Sequence, residues 1–359
     1  MTRSNAVRSG RSFPEVAVCR SFLLLLTAAL LATSQPLLAQ EPRDQGRLKK
    51  VEKQVDGLRW SLDALRKATD DQLWFQRLSD IALVDKVTYT GPPNPRAEES
   101  YGIRNERHPL KIQQYVFVPR KAEKGRKLPL IVLPHGGVHA DFTTYHVHIV
   151  REMVERGYIV IAPDYRGSTG YGKGFHDAID YGGLEIDDVV AGRDWAVEHL
   201  PVDPKRCAMV GWSHGGLIAL MAVFDHPGKF AACYAGVPVS DLLARVGYAG
   251  EEYRDDAVVR TMFAGKTPSE DVDLVRRRSP VWNAHKLRTP LLIHSSTNDR
   301  DVNVVEVESL IIALKAAGKS FEQKIYQDAP GGHSFNRIDT TLAQESRKEI
   351  YQFLEKHLK

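Results

Sequence analysis

The sequence predicts an α/β domain in which a mainly parallel sheet is flanked by helices, preceded by an N-terminal helical extension. From about residue 85, short apolar runs bounded by Gly, Pro, Asp or Asn alternate with longer helical stretches, the signature of strand–helix–strand units. The 359 residues, 43% hydrophobic and 26% charged, suffice for one large core plus an accessory segment. No Pro, Gly or Ser bias argues for disorder.

Residues 1–39 read as a signal peptide. Arg3, Arg8, Arg11 and Arg20 precede or open an apolar run over 22–32, and Ala39 offers a small residue for cleavage. The run is shorter than the roughly 20 residues a bilayer span requires, so export to a periplasmic or secreted location is expected over an uncleaved anchor. Those four arginines, set against Glu15, account for +3 of the chain's +4 and leave +1 elsewhere. With no basic stripe remaining, nucleic acid is excluded as a partner. Cys19 departs with the leader. Cys207 and Cys233 sit in apolar runs and read as buried free thiols, and no CxxC or other metal framework is present.

Residues 40–84 form a helical, coiled-coil-like zone. Leu48, Val51, Val55, Leu58, Leu62 and Leu65 alternate three and four apart, a stripe of nearly three heptads. Such a stripe either seats the helix on its own domain or joins two copies of the chain through residues 47–65. The catalytic zone follows over 85–359, with strands expected at 112–118, 128–133, 158–162, 207–210, 231–235, 290–294 and 321–326. Helices are expected at 142–156, 185–199, 215–224 and 305–317. Residues 240–278 are longer, more charged and less periodic than an ordinary crossover, and read as an insertion that either shapes a substrate site or is decorative.

The chemistry concentrates at strand ends. Gly211-Trp212-Ser213-His214-Gly215 fits Gly-x-Ser-x-Gly, a weak pattern alone, but an apolar strand runs into it and a helical run leads out. A strand that turns sharply into a helix exposes the serine hydroxyl, and the glycines let neighbouring backbone pass. A serine at neutral pH needs a base and a carboxylate to orient that base. Asp299 stands just past the 290–294 strand with Asp301 as its substitute, and His333 follows the last strand in a Gly331-Gly332 turn. Serine, acid, histidine is the chain order of the α/β-hydrolase fold. Gly136 and Gly137, after the 128–133 strand, together with the His214 amide, supply donors for an oxyanion. His135, His139, His146 and His148 raise the question of a metal, but no Glu or Cys stands at a matching spacing, and neither metal nor cofactor is expected.

These residues resemble the catalytic domain of the prolyl oligopeptidase family of serine peptidases over about residues 110–357. The resemblance rests on His135-Gly136-Gly137, the stretch Asp164-Tyr165-Arg166-Gly167-Ser168-Thr169-Gly170-Tyr171-Gly172, the elbow with Gly216, Ser279-Pro280, and the Asp299 and His333 turns. It implies that Arg166 and Tyr171 support the rim of the site. Arg166, Tyr171 and Trp212 are the candidates for contact with substrate. Asp187-Asp188 would open a helix and form salt bridges. Peptidases of this family usually carry a β-propeller ahead of the domain, and residues 40–110 are too few to build one. Peptide specificity is thus not inherited: the resemblance makes a peptide the first expected substrate, and an open site without a propeller makes a small carboxylic ester the alternative. A coiled-coil scaffold with a vestigial hydrolase domain is the reading from another class, and the intact Ser, Asp and His argue against it.

Overall fold

A computed structural model describes residues 41–93, 109–123, 125–250, 256–263 and 265–359; the expected signal peptide lies outside them. The chain divides into two compact units, Met1–Arg59 and Trp60–Lys359. Helix α1, Glu41–Leu78, contributes to both. Among the described residues no helix is long and apolar enough to cross a membrane.

The second unit is built on a sheet of eight described strands: β1 (Ala82–Pro93), β2 (Pro109–Pro119), β3 (Leu128–Val132), β4 (Ile159–Asp164), β5 (Val202–Trp212), β6 (Ala232–Gly236), β7 (Leu291–Ser296) and β8 (Glu322–Tyr326). Their spatial order is β1-β2-β4-β3-β5-β6-β7-β8. β1 and β2 are antiparallel to their neighbours, and the pairs from β4 through β8 are parallel. β1 falls at the edge of the polar zone, where its alternation is broken by charge, and it is the strand the sequence did not announce. The chain leaves β3 to one side for β4 and returns to the other side for β5. The carboxyl ends of β3 and β5 thus flank the switch in strand order, the place where open α/β sheets bind ligands.

The inner strands are buried on both faces, so they read as continuous apolar runs rather than alternating ones. Along β5, Cys207 and Met209 enter one core, while Ala208, Val210 and Trp212 enter the other. The first core lies under helices α3 (Leu184–His199), α4 (His214–Asp225) and α8 (Val304–Ala316). The second lies under α2 (Val147–Glu155), α9 (Thr341–Leu358) and Trp74 and Leu78 of α1. Cys207 and Cys233 are buried and unbridged, as expected. The 240–278 segment holds α5 (Leu242–Tyr248), α6 (Asp256–Met262) and α7 (Val272–Arg277).

In the second unit, α1 docks through a face the stripe did not mark. Trp74 stacks 5.2 Å from Phe142, nearly parallel, and is fully buried. Asp70 accepts from the Thr144 amide and hydroxyl, and Asp71 from Tyr115 and Lys86. Leu62 and Leu65 stay exposed at 48% and 64%. Leu48, Val51, Val55 and Leu58, in the first unit, are exposed too.

Candidate active site

Ser213 sits between the end of β5 and the start of α4 with φ 59° and ψ −123°, a backbone conformation that costs a non-glycine residue on the order of 1–3 kcal/mol. The surroundings enforce it. Ser213 donates its amide to the Gly236 carbonyl at 3.0 Å, while its own carbonyl receives the amides of Gly216 and Leu217. A Cβ on Gly211 would stand 2.0 Å from the Gly215 carbonyl oxygen, so the turn admits only glycine there. Val237, just after β6, is held at φ 40°, and its amide bonds to the His294 carbonyl at 2.6 Å. A β-branched residue in that region marks a second strained position beside the elbow.

The turns that carry Asp299 and His333 follow the neighbouring strands β7 and β8. Asp299 is buried; its Oδ1 accepts the Asp301 and Val302 amides, each at 2.9 Å, and its Oδ2 meets His333 Nδ1 at 2.7 Å. Asp301 is exposed, and its place in this arrangement is to lend a backbone amide to Asp299. The contact uses Nδ1, so Nε2 is the ring nitrogen that Asp299 does not engage. Gly331 and Gly332 both have positive φ, which tightens the turn that carries His333. The two turns are laced together: the Asn298 side chain donates to the Ala329 carbonyl at 3.1 Å, and the Asp328 backbone amide donates to Thr297 Oγ1 at 2.9 Å.

After β3, Gly136 lies directly against Ser213, where a Cβ would come within 3.3 Å of Ser213 Cβ and 3.0 Å of the Trp212 carbonyl oxygen. His135 is buried beneath this loop, stacked 4.2 Å from Tyr165, with Nε2 2.8 Å from Ser168 Oγ. Burial pushes its pKa down, so the ring stays neutral and structural. His214 points inward between Tyr165 and Tyr181, 3.6 Å from the buried Glu185 carboxylate. Its side chain is thus unavailable to substrate, and its amide is what it can offer.

The sequence profile described as the prolyl oligopeptidase family matches residues 144–359, more than half of the chain. The chain belongs to the prolyl oligopeptidase family. Membership makes it an enzyme of the hydrolase class. Among similar curated proteins is an uncharacterized peptidase, YuxL, of Bacillus subtilis, 31% identical over 231 residues, covering 63% of this chain and 34% of that one. Another is the acylamino-acid-releasing enzyme of Mus musculus, 24% identical, covering 69% of this chain and 34% of its own. The chain spans about a third of the length of these relatives. An acylaminoacyl peptidase of Pyrococcus horikoshii shares the fold at TM-score 0.64 and 20% identity, over 80% of this chain and 44% of that one. A puromycin-hydrolyzing peptidase of Mycobacterium tuberculosis does so at TM-score 0.61 and 23% identity, over 77% of this chain and 40% of that one.

Against the family pattern, two substrate-facing expectations are corrected. Arg166 is fully buried and clamps Asp188 through Nε at 2.7 Å and a guanidinium nitrogen at 2.9 Å. Trp212 is buried in the core, its indole donating to Asn336 at 3.0 Å. Neither presents a side-chain surface to solvent, because each is committed to partners inside the packed interior. Tyr171 is half-buried, with its hydroxyl on Asp164 at 2.5 Å. The acidic pair splits: Asp188 takes Arg166, and Asp187 faces His226 at 3.0 Å. His139 stacks on His176 and His146 on Phe142, so the histidines of this region have separate partners. Sequence reasoning missed Lys67, Asp63 and Trp74 of α1. Their one signal was a second face recurring three, four and seven apart beneath the louder apolar stripe.

Proposed function

We propose that this family member hydrolyses amide bonds of peptides through an acyl-enzyme on Ser213. His333 takes the hydroxyl proton through Nε2, and Ser213 Oγ attacks the carbonyl carbon. The amides of Gly136, Gly137 and His214 hold the resulting oxyanion. His333 then protonates the departing amine, and water, activated by the same imidazole, releases the acid. The 2.7 Å bond between His333 Nδ1 and a buried, doubly amide-capped Asp299 carries this reading, since it fixes the tautomer that leaves Nε2 basic. Relatives named as a peptidase and a dipeptidyl aminopeptidase support amide over ester as the bond cut. We further propose that the chain is exported and acts in a periplasmic or secreted setting, on the strength of its leader.

The test compares an aminoacyl p-nitroanilide with a short-chain p-nitrophenyl ester, using mature protein and its Ser213→Ala variant. Amide turnover that disappears in the variant is the expected result. Ester turnover alone would reassign the enzyme to carboxylesterases, and activity surviving in the variant would overturn the mechanism.

A further inference from the structure

The C-terminal half of α1 reaches the loops that border the nucleophile. Lys67 is 4% exposed, and its ammonium donates to Asp141 Oδ2 at 2.9 Å and to the Phe142 carbonyl at 3.0 Å. It also lies 2.8 Å from Asp164 Oδ2. Asp141 and Phe142 belong to the loop after β3 that carries Gly136 and Gly137. Asp164 ends β4 and opens the 164–171 loop. Burial alone would lower the Lys67 pKa, but Asp164 and Asp141 outweigh it and hold the ammonium charged. One turn earlier, Asp63 accepts the Gly170 amide at 2.5 Å. A Cβ on Gly170 would strike Lys67 Cβ at 2.6 Å, so helix and loop are in direct contact.

The two loops are in turn stitched together. Thr169 donates its amide to the Ala140 carbonyl at 2.9 Å and its hydroxyl to Asp141 Oδ1 at 2.8 Å. The Tyr165 hydroxyl reaches the carbonyls of His135 at 2.9 Å and Gly137 at 3.1 Å. At the far end Gly136 abuts Ser213. Contacts therefore run without a gap from Lys67 to the backbone facing the nucleophile.

We infer that Lys67, assisted by Asp63, is a positioning residue for the reaction: it clamps both loops to α1 and so fixes the direction of the Gly136 and Gly137 amides. This rests on the oxyanion assignment proposed above. Loss of the ammonium leaves Asp141 and Asp164 without their shared cation, and the loops part where they must stay fixed. Because the oxyanion exists only on the way through the transition state, the defect belongs to kcat and not to KM.

The experiment measures kcat and KM of Lys67→Met, Lys67→Arg and Asp63→Ala on the same p-nitroanilide. In parallel it measures their affinity for a peptidyl trifluoromethyl ketone, whose adduct with the serine carries the oxyanion. Circular dichroism and melting temperature report folding. Lys67→Met is expected to lose about 10- to 100-fold in kcat with KM within about twofold, to lose ketone affinity in proportion, and to be partly rescued by Lys67→Arg. A folded Lys67→Met with unchanged kcat, or with a loss confined to KM, overturns the inference. Should Lys67→Met not fold, the half-buried Asp63→Ala decides: a several-fold fall in kcat and ketone affinity supports the clamp, and wild-type values overturn it. Ser213→Ala separates the two levels, since activity remaining there defeats the oxyanion assignment itself, whatever Lys67 does.

Discussion

Two carboxyl groups stand within reach of His333, and their environments assign them different work. Asp299 is enclosed and receives two amides in addition to the imidazole, whereas Asp301 faces solvent. Asp299→Asn should lower kcat by roughly three to four orders of magnitude, and Asp301→Asn by no more than severalfold, in steady-state assays. A third carboxyl, Glu185, is buried against His214, and burial raises its pKa to about 8. Unfolded, it titrates near 4.3. The folded state thus retains a proton that the unfolded state has lost. The stability this contributes is complete below about pH 4 and disappears as pH rises to about 8. Glu185→Gln should flatten that part of the melting-temperature profile between about pH 5 and 8, and a slope unchanged in the variant would refute the assignment. At this scale the strained turn at Ser213 and the pairing of Asp299 with His333 were legible because each residue occupies a turn with a local signature. Trp212 and the substrate-facing alternative for Arg166 could not be settled from sequence, because burial of a polar or amphipathic side chain depends on partners such as Asp188 and Asn336, which lie 22 and 124 residues away.

Helix α1 shows the same asymmetry at the level of an element. Its existence was plain, but its loud 3–4 stripe points to solvent, while a face of Asp63, Lys67, Asp70 and Trp74 seats it on the domain. Periodicity identifies an apolar face without saying which surface meets it, and a charged face that buries through ion pairs leaves no hydropathic trace. Trp74→Ala should destabilise the protein by about 3–5 kcal/mol in denaturant titrations, given its complete burial. We propose that the exposed stripe pairs two copies of the chain. Leu58→Asp should then leave the unfolding midpoint of dilute protein nearly unchanged, and halve the mass found by sedimentation at micromolar concentration. A single sedimenting species common to both proteins would exclude the pairing.

Across the whole molecule, the alternation of apolar runs and helices announced the parallel strands to within a few residues. It missed β1, whose Asp85 and Lys86 interrupt the pattern. The order of those strands in the sheet is not a local property, yet it determines where the site lies: β3 is the point at which the chain reverses direction across the sheet, and the elbow, acid and base all emerge on that side of it. The strained backbone of Ser213 has a consequence for the entire fold. The φ and ψ it adopts suit glycine, so Ser213→Gly should raise global stability by about 1 kcal/mol while abolishing turnover. Screens of random variants for heat resistance alone would then enrich dead enzyme, and the nucleophile would be among the first positions that such selection erodes.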